Sequence, residues 1–280
     1  MTVIAFSNRK GGQGKTTMTV NVGAALARKG YRVGLVDTDP QGNVAMMLGL
    51  QAEDMLHAAM VGGLGPDVPA IKYGGNVDPF VRVVPRERYA DTDEVAEEML
   101  AIFGNARTSE IRKVLADEDI LLFDDMIQDF KEGFDLDYVL IDTAPSITPL
   151  DPNVYISVDG FVIVSELEEL AINGMNMSLQ QISNSNGLRK RFSMPENRVL
   201  GVITNRGRNT NLHKDNYIKL QQKFGKENVW NPVSLRVKWG EAAAMHICIQ
   251  QHADARTEIR ELDRIVDNIE SRTTPTLSEA

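Results

Sequence analysis

Eight residues near the start of the chain, Lys10-Gly11-Gly12-Gln13-Gly14-Lys15-Thr16-Thr17, restrict its fold more than any other stretch. They follow a β-branched apolar run at Val3–Ser7 and precede a helical pattern over Thr16–Arg28. A glycine-rich turn between strand and helix aims backbone N–H groups, and the positive end of the helix, at an anion. In this register Gly11, Gly12, Gln13 and Gly14 form a phosphate cradle and Lys15 reaches the β- and γ-phosphates of a nucleotide. Thr16 is expected to coordinate Mg²⁺ and Thr17 to reach the α-phosphate. The ordinary pattern, G-x-x-x-x-G-K-[ST], asks for glycine where Arg9 stands. Here the distinguishing residue is Lys10, five positions before Lys15, which makes the loop the two-lysine form K-G-G-x-G-K-[ST].

Two further segments extend this reading. Val33–Asp37 reads as a strand ending in Asp37-Thr38-Asp39-Pro40-Gln41-Gly42-Asn43, and Tyr138–Asp142 as a strand ending in Asp142-Thr143-Ala144-Pro145-Ser146. Carboxylates at the carboxyl ends of parallel strands face the ligand crevice of an open sheet. Asp142 therefore fits a Mg²⁺-water ligand, and Asp39 a residue that orients an attacking water. Phe80–Val84, Phe161–Val164 and Val199–Thr204 also read as strands, and Gly174–Ile182 as helical. The expected fold class is α/β, a mostly parallel twisted sheet flanked by helices. Residues 51–78 read as loops with short helices, and 92–135 as largely helical and acidic. Ile259, Leu262, Val266 and Ile269 fall at helical spacing and predict a closing amphipathic helix. One domain over residues 1–272, with a frayed, disordered tail at 273–280, is the expected organisation.

Charge enters where partners are concerned. The chain carries 30 basic and 39 acidic residues, a net charge of −9, which taken whole argues against nucleic acid or anionic membranes. The charge is unevenly placed, however. Residues 85–137 hold 6 basic and 16 acidic residues, whereas 189–238 hold 12 basic and 3 acidic ones, a polarity that suggests distinct interaction surfaces. Cys248 is the only cysteine, which excludes an internal disulfide and a multi-cysteine metal site. His57, His213, His246 and His252 form no metal-ligand pattern. No apolar run approaches the ~20 residues of a membrane span, and the start lacks the basic region and cleavage site of a signal peptide. These features read as a soluble protein of a reducing compartment.

Taken together, the three motifs resemble those of the ParA partition ATPases, within the wider ParA/MinD group of deviant Walker A P-loop proteins. Lys10–Thr17 is similar to that family's Walker A loop, Asp37–Asn43 to its D-x-D-P-Q-G-N segment, and Asp142–Ser146 to its D-x-x-P-S switch. Glu168, Ala171 and Gly174 keep the spacing of its E-Y-Y-A-L-E-G stretch. Thr210-Asn211-Leu212 resembles its R-T-N-L segment, and Pro232 through Glu241-Ala242 its I-P-R-N-V-R-L-S-E-A loop. The resemblance implies ATP and Mg²⁺ as cofactors and an ATP-dependent homodimer. In that dimer Lys10 would reach the partner's nucleotide, Asp39 would position the hydrolytic water, and Asp37 would support the metal shell. It further implies adenine contacts from Asn205 and Pro232, although an Asn capping a strand end is an equal reading of Asn205. Non-specific DNA binding is implied through Arg206, Arg208, Arg236 and Lys238. The implied stimulating partner is a ParB-like centromere-binding or cargo-adaptor protein, and the implied location is cytoplasmic, on the nucleoid when ATP is bound.

Departures qualify this transfer. Asn209 replaces the first arginine of the R-T-N-L segment, and Lys238 stands at the last arginine of the second loop. Val164 replaces a usual proline, and Trp239-Gly240 a usual Leu-Ser. Because the phosphate loop begins at residue 10, no preceding helix-turn-helix domain is expected. The alternative is a MinD-like membrane-cycling switch, which needs a basic amphipathic terminal helix. Residues 254–272 carry 4 basic and 6 acidic residues, so the expectation is no membrane partner.

Overall fold

The computed structural model describes residues 2–61, 77–91, 96–111, 119–148 and 150–273. The expected loops of 51–78 and the acidic stretch 92–135 lie partly outside those residues. The tail beyond residue 273 lies wholly outside them. Thr273 itself closes the last helix, where the sequence reading began the tail, and its hydroxyl sits 3.0 Å from that of Tyr138.

Five apolar runs become interior strands: β1 (Thr2–Ser7), β2 (Val33–Asp37), β5 (Tyr138–Asp142), β6 (Gly160–Glu166) and β7 (Arg198–Asn205). Both faces of β1, β2, β5 and β6 are buried, which is why they read as continuous apolar runs rather than alternating ones. With β3 (Arg82–Val83), β4 (Met99–Ile102) and β8 (Val229–Trp230) they form one sheet in the order β3-β4-β2-β5-β1-β6-β7-β8. All neighbours run parallel except β3, which is antiparallel to β4 at the edge. From β1 the chain builds one half of the sheet, returns through β5, and then builds the other half. The carboxyl end of β1 is thus the place where the connections diverge, and a crevice opens there.

Two expectations need correction. Among the described residues of 92–135, read as largely helical, a strand intervenes: β4 lies inside the stretch, followed by a 3₁₀ turn at Ala106–Glu110 and, later, a helix over Leu122–Gly133. Met99-Leu100-Ala101-Ile102 is a four-residue run made mostly of the helix formers Met, Leu and Ala, and Glu97-Glu98 before it suggests a solvated helix. The strand read at Phe80–Val84 shrinks to Arg82–Val83, since Asp78–Phe80 is a 3₁₀ turn. The two-residue strand β8 carries no pattern long enough to read.

Among the described residues the α-helices are α1 (Lys15–Arg28), α2 (Asn43–Met47), α3 (Met55–Val61), α4 (Leu122–Gly133), α5 (Asp151–Ser157), α6 (Glu169–Arg191), α7 (Asn211–Phe224), α8 (Val237–Ala244) and α9 (Arg256–Thr273). α1 is buried over nearly its whole length, between the sheet and α9. Its small residues Gly23, Ala24, Ala25 and Ala27 permit that close packing. α9 is the expected amphipathic helix, with Leu262, Val266 and Ile269 buried and Ile259 packed against the core. Lys29, at the end of α1, pairs with Asp267 at 2.7 Å and with Glu270, locking the two helices. Among the described residues no helix is long and apolar enough to cross a membrane.

Candidate nucleotide-binding site

The turn after β1 is pinned before it is bent. Asn8 is buried; its Nδ2 donates to the Val164 carbonyl at 2.8 Å and its Oδ1 accepts from Lys10 N at 2.9 Å. Gln13 is buried too, and its Oε1 accepts from Glu166 N at 2.8 Å. Gly14 caps α1 in the left-handed region at φ 87°. A Cβ there would lie 2.3 Å from Asn205 Nδ2, the atom that donates to the Gln13 carbonyl at 2.7 Å. Only glycine therefore lets Asn205 close on the loop from below.

Around the loop lies a cleft of about 540 Å³. Gly12 to Thr17 form one wall; Asp39, Gln41, Asn43, Pro145, Arg206 and His246 are among the residues that line the others. Lys15 is only 6% exposed. Burial lowers its pKa, opposed by the nearby carboxylates of Asp142 and Asp39 and assisted slightly by Arg9. Thr16 Oγ1 donates to Asp142 Oδ2 at 2.6 Å, while Asp142 Oδ1 is buried with no hydrogen-bond partner. Burial is also the chief reason the Asp142 carboxyl is pushed up to about 7; Thr16 and Lys15 hold it down and Asp39 raises it further. An orphaned buried carboxylate oxygen beside a threonine hydroxyl, facing the phosphate loop, is a donor set that suits a hard divalent cation.

Asp37 has a different part from the metal-shell support expected of it. It is fully buried beside Asp142, its register partner on β5, and each of its oxygens accepts a backbone N–H. Oδ1 accepts from Asp39 N and Oδ2 from Val44 N, each at 3.0 Å. Asp37 therefore shapes the 38–44 loop that carries Asp39. Burial first, and the Asp142 charge second, raise its pKa well above its ordinary value. Asp39 is 6% exposed, lines the cleft, and accepts from Gln41 N at 3.0 Å.

The raised carboxyls dictate a pH dependence. Between about pH 4 and 7 the folded, ligand-free chain holds a proton on Asp142 that the unfolded chain has released, so stability falls as pH rises through that window. Without nucleotide or divalent cation, the urea midpoint will be higher at pH 5.5 than at pH 7.5. Asp142→Asn will flatten that slope, leaving the Asp37 contribution. An equal slope in wild type and variant would show that Asp142 does not titrate there.

Lys10 stands apart from the other loop residues. Its ammonium does not line the cleft; it lies 3.5 Å from Glu168 Oε2 at the start of α6 and stays partly exposed. A second hollow of about 400 Å³ continues from Gly14 and Thr17 past Asn205 to Ser234, Arg236 and Trp239. Asn205 and the loop before α8 therefore flank the extension where a base would lie. Pro232 does not: it lines a separate hollow with Arg208 and Lys214, on the other side of the bridge between Gly207 and Ser234. Residues two to five positions further on occupy the place expected of it.

The four expected DNA contacts are divided in the same way. Arg206 and Arg236 line the nucleotide cavities, Arg206 paired with Glu166 at 2.9 Å and Arg236 3.6 Å from the buried carboxylate of Glu258. Lys238 donates to the Asp254 carbonyl, and Arg208 is exposed beside Lys214. His246, Met46 and Trp239 also line these cavities, and nothing in their sequence spacing marks them.

The parallel sheet, the two-lysine loop at its switch point and the paired strand-end aspartates define a P-loop nucleotide-binding protein. A family model described as an AAA domain matches residues 1–194. The chromosome-partitioning ATPase Soj of Thermus thermophilus is 31% identical over 271 residues, covering 96% of this chain and 95% of that one. The chromosome partitioning protein ParA of Caulobacter vibrioides is 30% identical over 189 residues, 66% of this chain and 63% of that one. In fold, the ATP complex of a McdA variant from Cyanothece matches with a TM-score of 0.71 at 16% identity, over 99% of this chain and 98% of that one. A putative plasmid partition protein of Borrelia burgdorferi bound to AMPPNP matches with a TM-score of 0.69 at 17% identity, over 96% and 98%. The chain belongs to the ParA/Soj family of partition ATPases.

Proposed function

We propose that this protein is a nucleotide-controlled switch, a single ATPase domain over residues 1–272, that pairs face to face when ATP is bound and in that state holds DNA without sequence preference to position a cargo. The observation that carries the reading is the division of labour between the two loop lysines. Lys15 is buried inside its own cleft, while Lys10 stays outside it, at the surface beside α6. A lysine so placed can meet a phosphate supplied by a second copy. The γ-phosphate then favours the paired state, and its hydrolysis shifts the population back.

Within one subunit, the loop N–H groups and Lys15 bind the phosphates, and Asp39 orients the attacking water. Thr16 and Asp142 would hold Mg²⁺, which supplies charge neutralisation on the β- and γ-phosphates. Asn205 braces the loop beside the base extension. DNA phosphates would be met by Arg208 and Lys238, with Arg206 and Arg236 released from their carboxylates, giving local, salt-sensitive binding despite the net charge of −9. A ParB-like centromere-binding or cargo-adaptor protein would stimulate hydrolysis.

Light scattering and anisotropy on a random-sequence duplex test this together. Wild-type protein will double in mass with ATP and bind the duplex. Lys10→Ala will bind ATP yet remain monomeric and off DNA. Arg208→Ala/Lys238→Ala will dimerise normally but bind DNA about tenfold or more weakly, with a shallower salt dependence. ATP-dependent mass doubling by Lys10→Ala would refute the role of that lysine, and unchanged DNA affinity in the double variant would place the DNA surface elsewhere.

A further inference from the structure

Arg9 sits where an ordinary phosphate loop has glycine, and it is not a solvent-facing filler. Its side chain is 2% exposed. A guanidinium has five N–H groups, and here all five meet an acceptor. Nε donates to Gln181 Oε1 on α6. Nη1 donates to the carbonyls of Ser146 at 2.8 Å and Ala144 at 3.4 Å. Nη2 donates to Asp151 Oδ2 at 2.8 Å and to the Tyr155 hydroxyl at 3.0 Å, both on α5. The Tyr155 ring lies beneath the guanidinium, 5.4 Å to its centroid.

The acceptors are tied to one another. The Asp151 carboxylate also takes Thr148 N at 3.0 Å and Thr148 Oγ1 at 2.7 Å, so the 144–148 loop is gripped at both ends. The Tyr155 hydroxyl is 2.8 Å from Ser7 Oγ, the last residue of β1. The two carbonyls that Arg9 holds flank Pro145, which lines the nucleotide cleft and would stand 3.9 Å from a Cβ on Gly11. The same loop begins just after Asp142.

We propose that Arg9 is a positioning residue for ATP hydrolysis: it locks the 144–148 loop onto the phosphate loop, so that the loop following Asp142 responds to the nucleotide as one body with residues 10–17. A buried guanidinium is tolerable only while its donors are met, and this acceptor set exists in one arrangement of the loop. Any shift of Ala144 or Ser146 takes an acceptor from Nη1 of a guanidinium whose side chain is 2% exposed, so the joint is held or released rather than graded. Lysine cannot replace it, having three donors and no planar fork.

The inference rests on the ATPase reading, and its test separates the two. Arg9→Lys keeps the charge; Arg9→Gln/Asp151→Asn removes both charges, so that neither is left buried and unpaired. ATP affinity by titration with a fluorescent ATP analogue, kcat and KM, and amide hydrogen exchange of the peptide spanning 143–155 are measured with and without ATP. In both variants ATP affinity will stay within about threefold while kcat falls about ten- to hundredfold, the cost of a misplaced group near the reaction. The protection that ATP confers on 143–155 in the wild type will be lost. Unchanged kcat and unchanged protection in either variant would overturn the proposal. So would a parallel loss of affinity and kcat with faster exchange throughout β1 and α1, which would make Arg9 a stability residue only. A wild-type chain that binds ATP and protects 143–155 without hydrolysing it would sink the ATPase reading, while the exchange comparison still decides the joint.

Discussion

Replacing Asp39 with alanine will cut ATP hydrolysis by about a hundredfold or more while leaving ATP binding intact or slightly tighter. The side chain lines the cleft, but its recorded hydrogen bond is to Gln41 N on its own loop. The phosphate loop loses no hydrogen bond when it goes. Asp37 still accepts from the backbone N–H of residue 39 and of Val44, so the loop keeps its shape. One negative charge facing a triphosphate disappears, which favours binding, and the neighbouring Asp142, whose carboxyl Asp39 pushes up, ionises more readily. The ATP-bound form should therefore accumulate as a long-lived dimer that stays on DNA. Phosphate release measured beside ATP titration checks this. Hydrolysis within threefold of wild type would remove Asp39 from the mechanism.

Lys15→Ala will act at the earlier step and weaken ATP binding by about a hundredfold or more. Lys15 is the cation buried at the start of α1 near Asp39 and Asp142, with Asp37 behind Asp142. Without it the cleft presents carboxylates to an anionic ligand, and Asp142 loses the charge that holds its pKa down. Lys15→Arg should fail as well, because a planar guanidinium does not fit a compact site built for an ammonium. The check is the thermal shift on adding ATP and Mg²⁺, large in wild type and absent in both variants. A retained shift in Lys15→Ala would mean that the nucleotide is held elsewhere.

How far the sequence foretells such a site depends on what kind of information each residue carries. Lys15, Thr16, Asp39 and Asp142 are legible because they sit at fixed offsets from strand ends, and strand ends converge in a parallel sheet. Gly12 and Gly14 of the loop are legible because positive φ leaves little other choice. β4 is not legible, since Met99–Ile102 is only four residues long, is made mostly of helix formers and follows a charged pair that mimics a solvated helix. The place of Pro232, in a separate hollow, is not legible either: which face of a loop meets the cleft depends on its pairing, here the bridge of Gly207 with Ser234. Asp37 shows that even a correctly located carboxylate can have its oxygens committed to backbone N–H groups.

Sequence alone determined the doubly flanked parallel sheet, the phosphate loop and the polarity between an acidic segment and a basic one. These follow from short-range rules: periodicity, φ at glycine, and the offset of a carboxylate from the end of its strand. Tertiary structure alone decided that Arg206 and Arg236 are held by carboxylates at the nucleotide cavities, that Lys10 rests on Glu168 outside its own cleft, and that Arg9 joins β1 to α5, α6 and the 144–148 loop. The physical reason is that a long cationic side chain finds its partners on other elements, 40 positions away for Arg206 and 172 for the Arg9–Gln181 contact, and no local pattern records which of them the sheet order brings within reach.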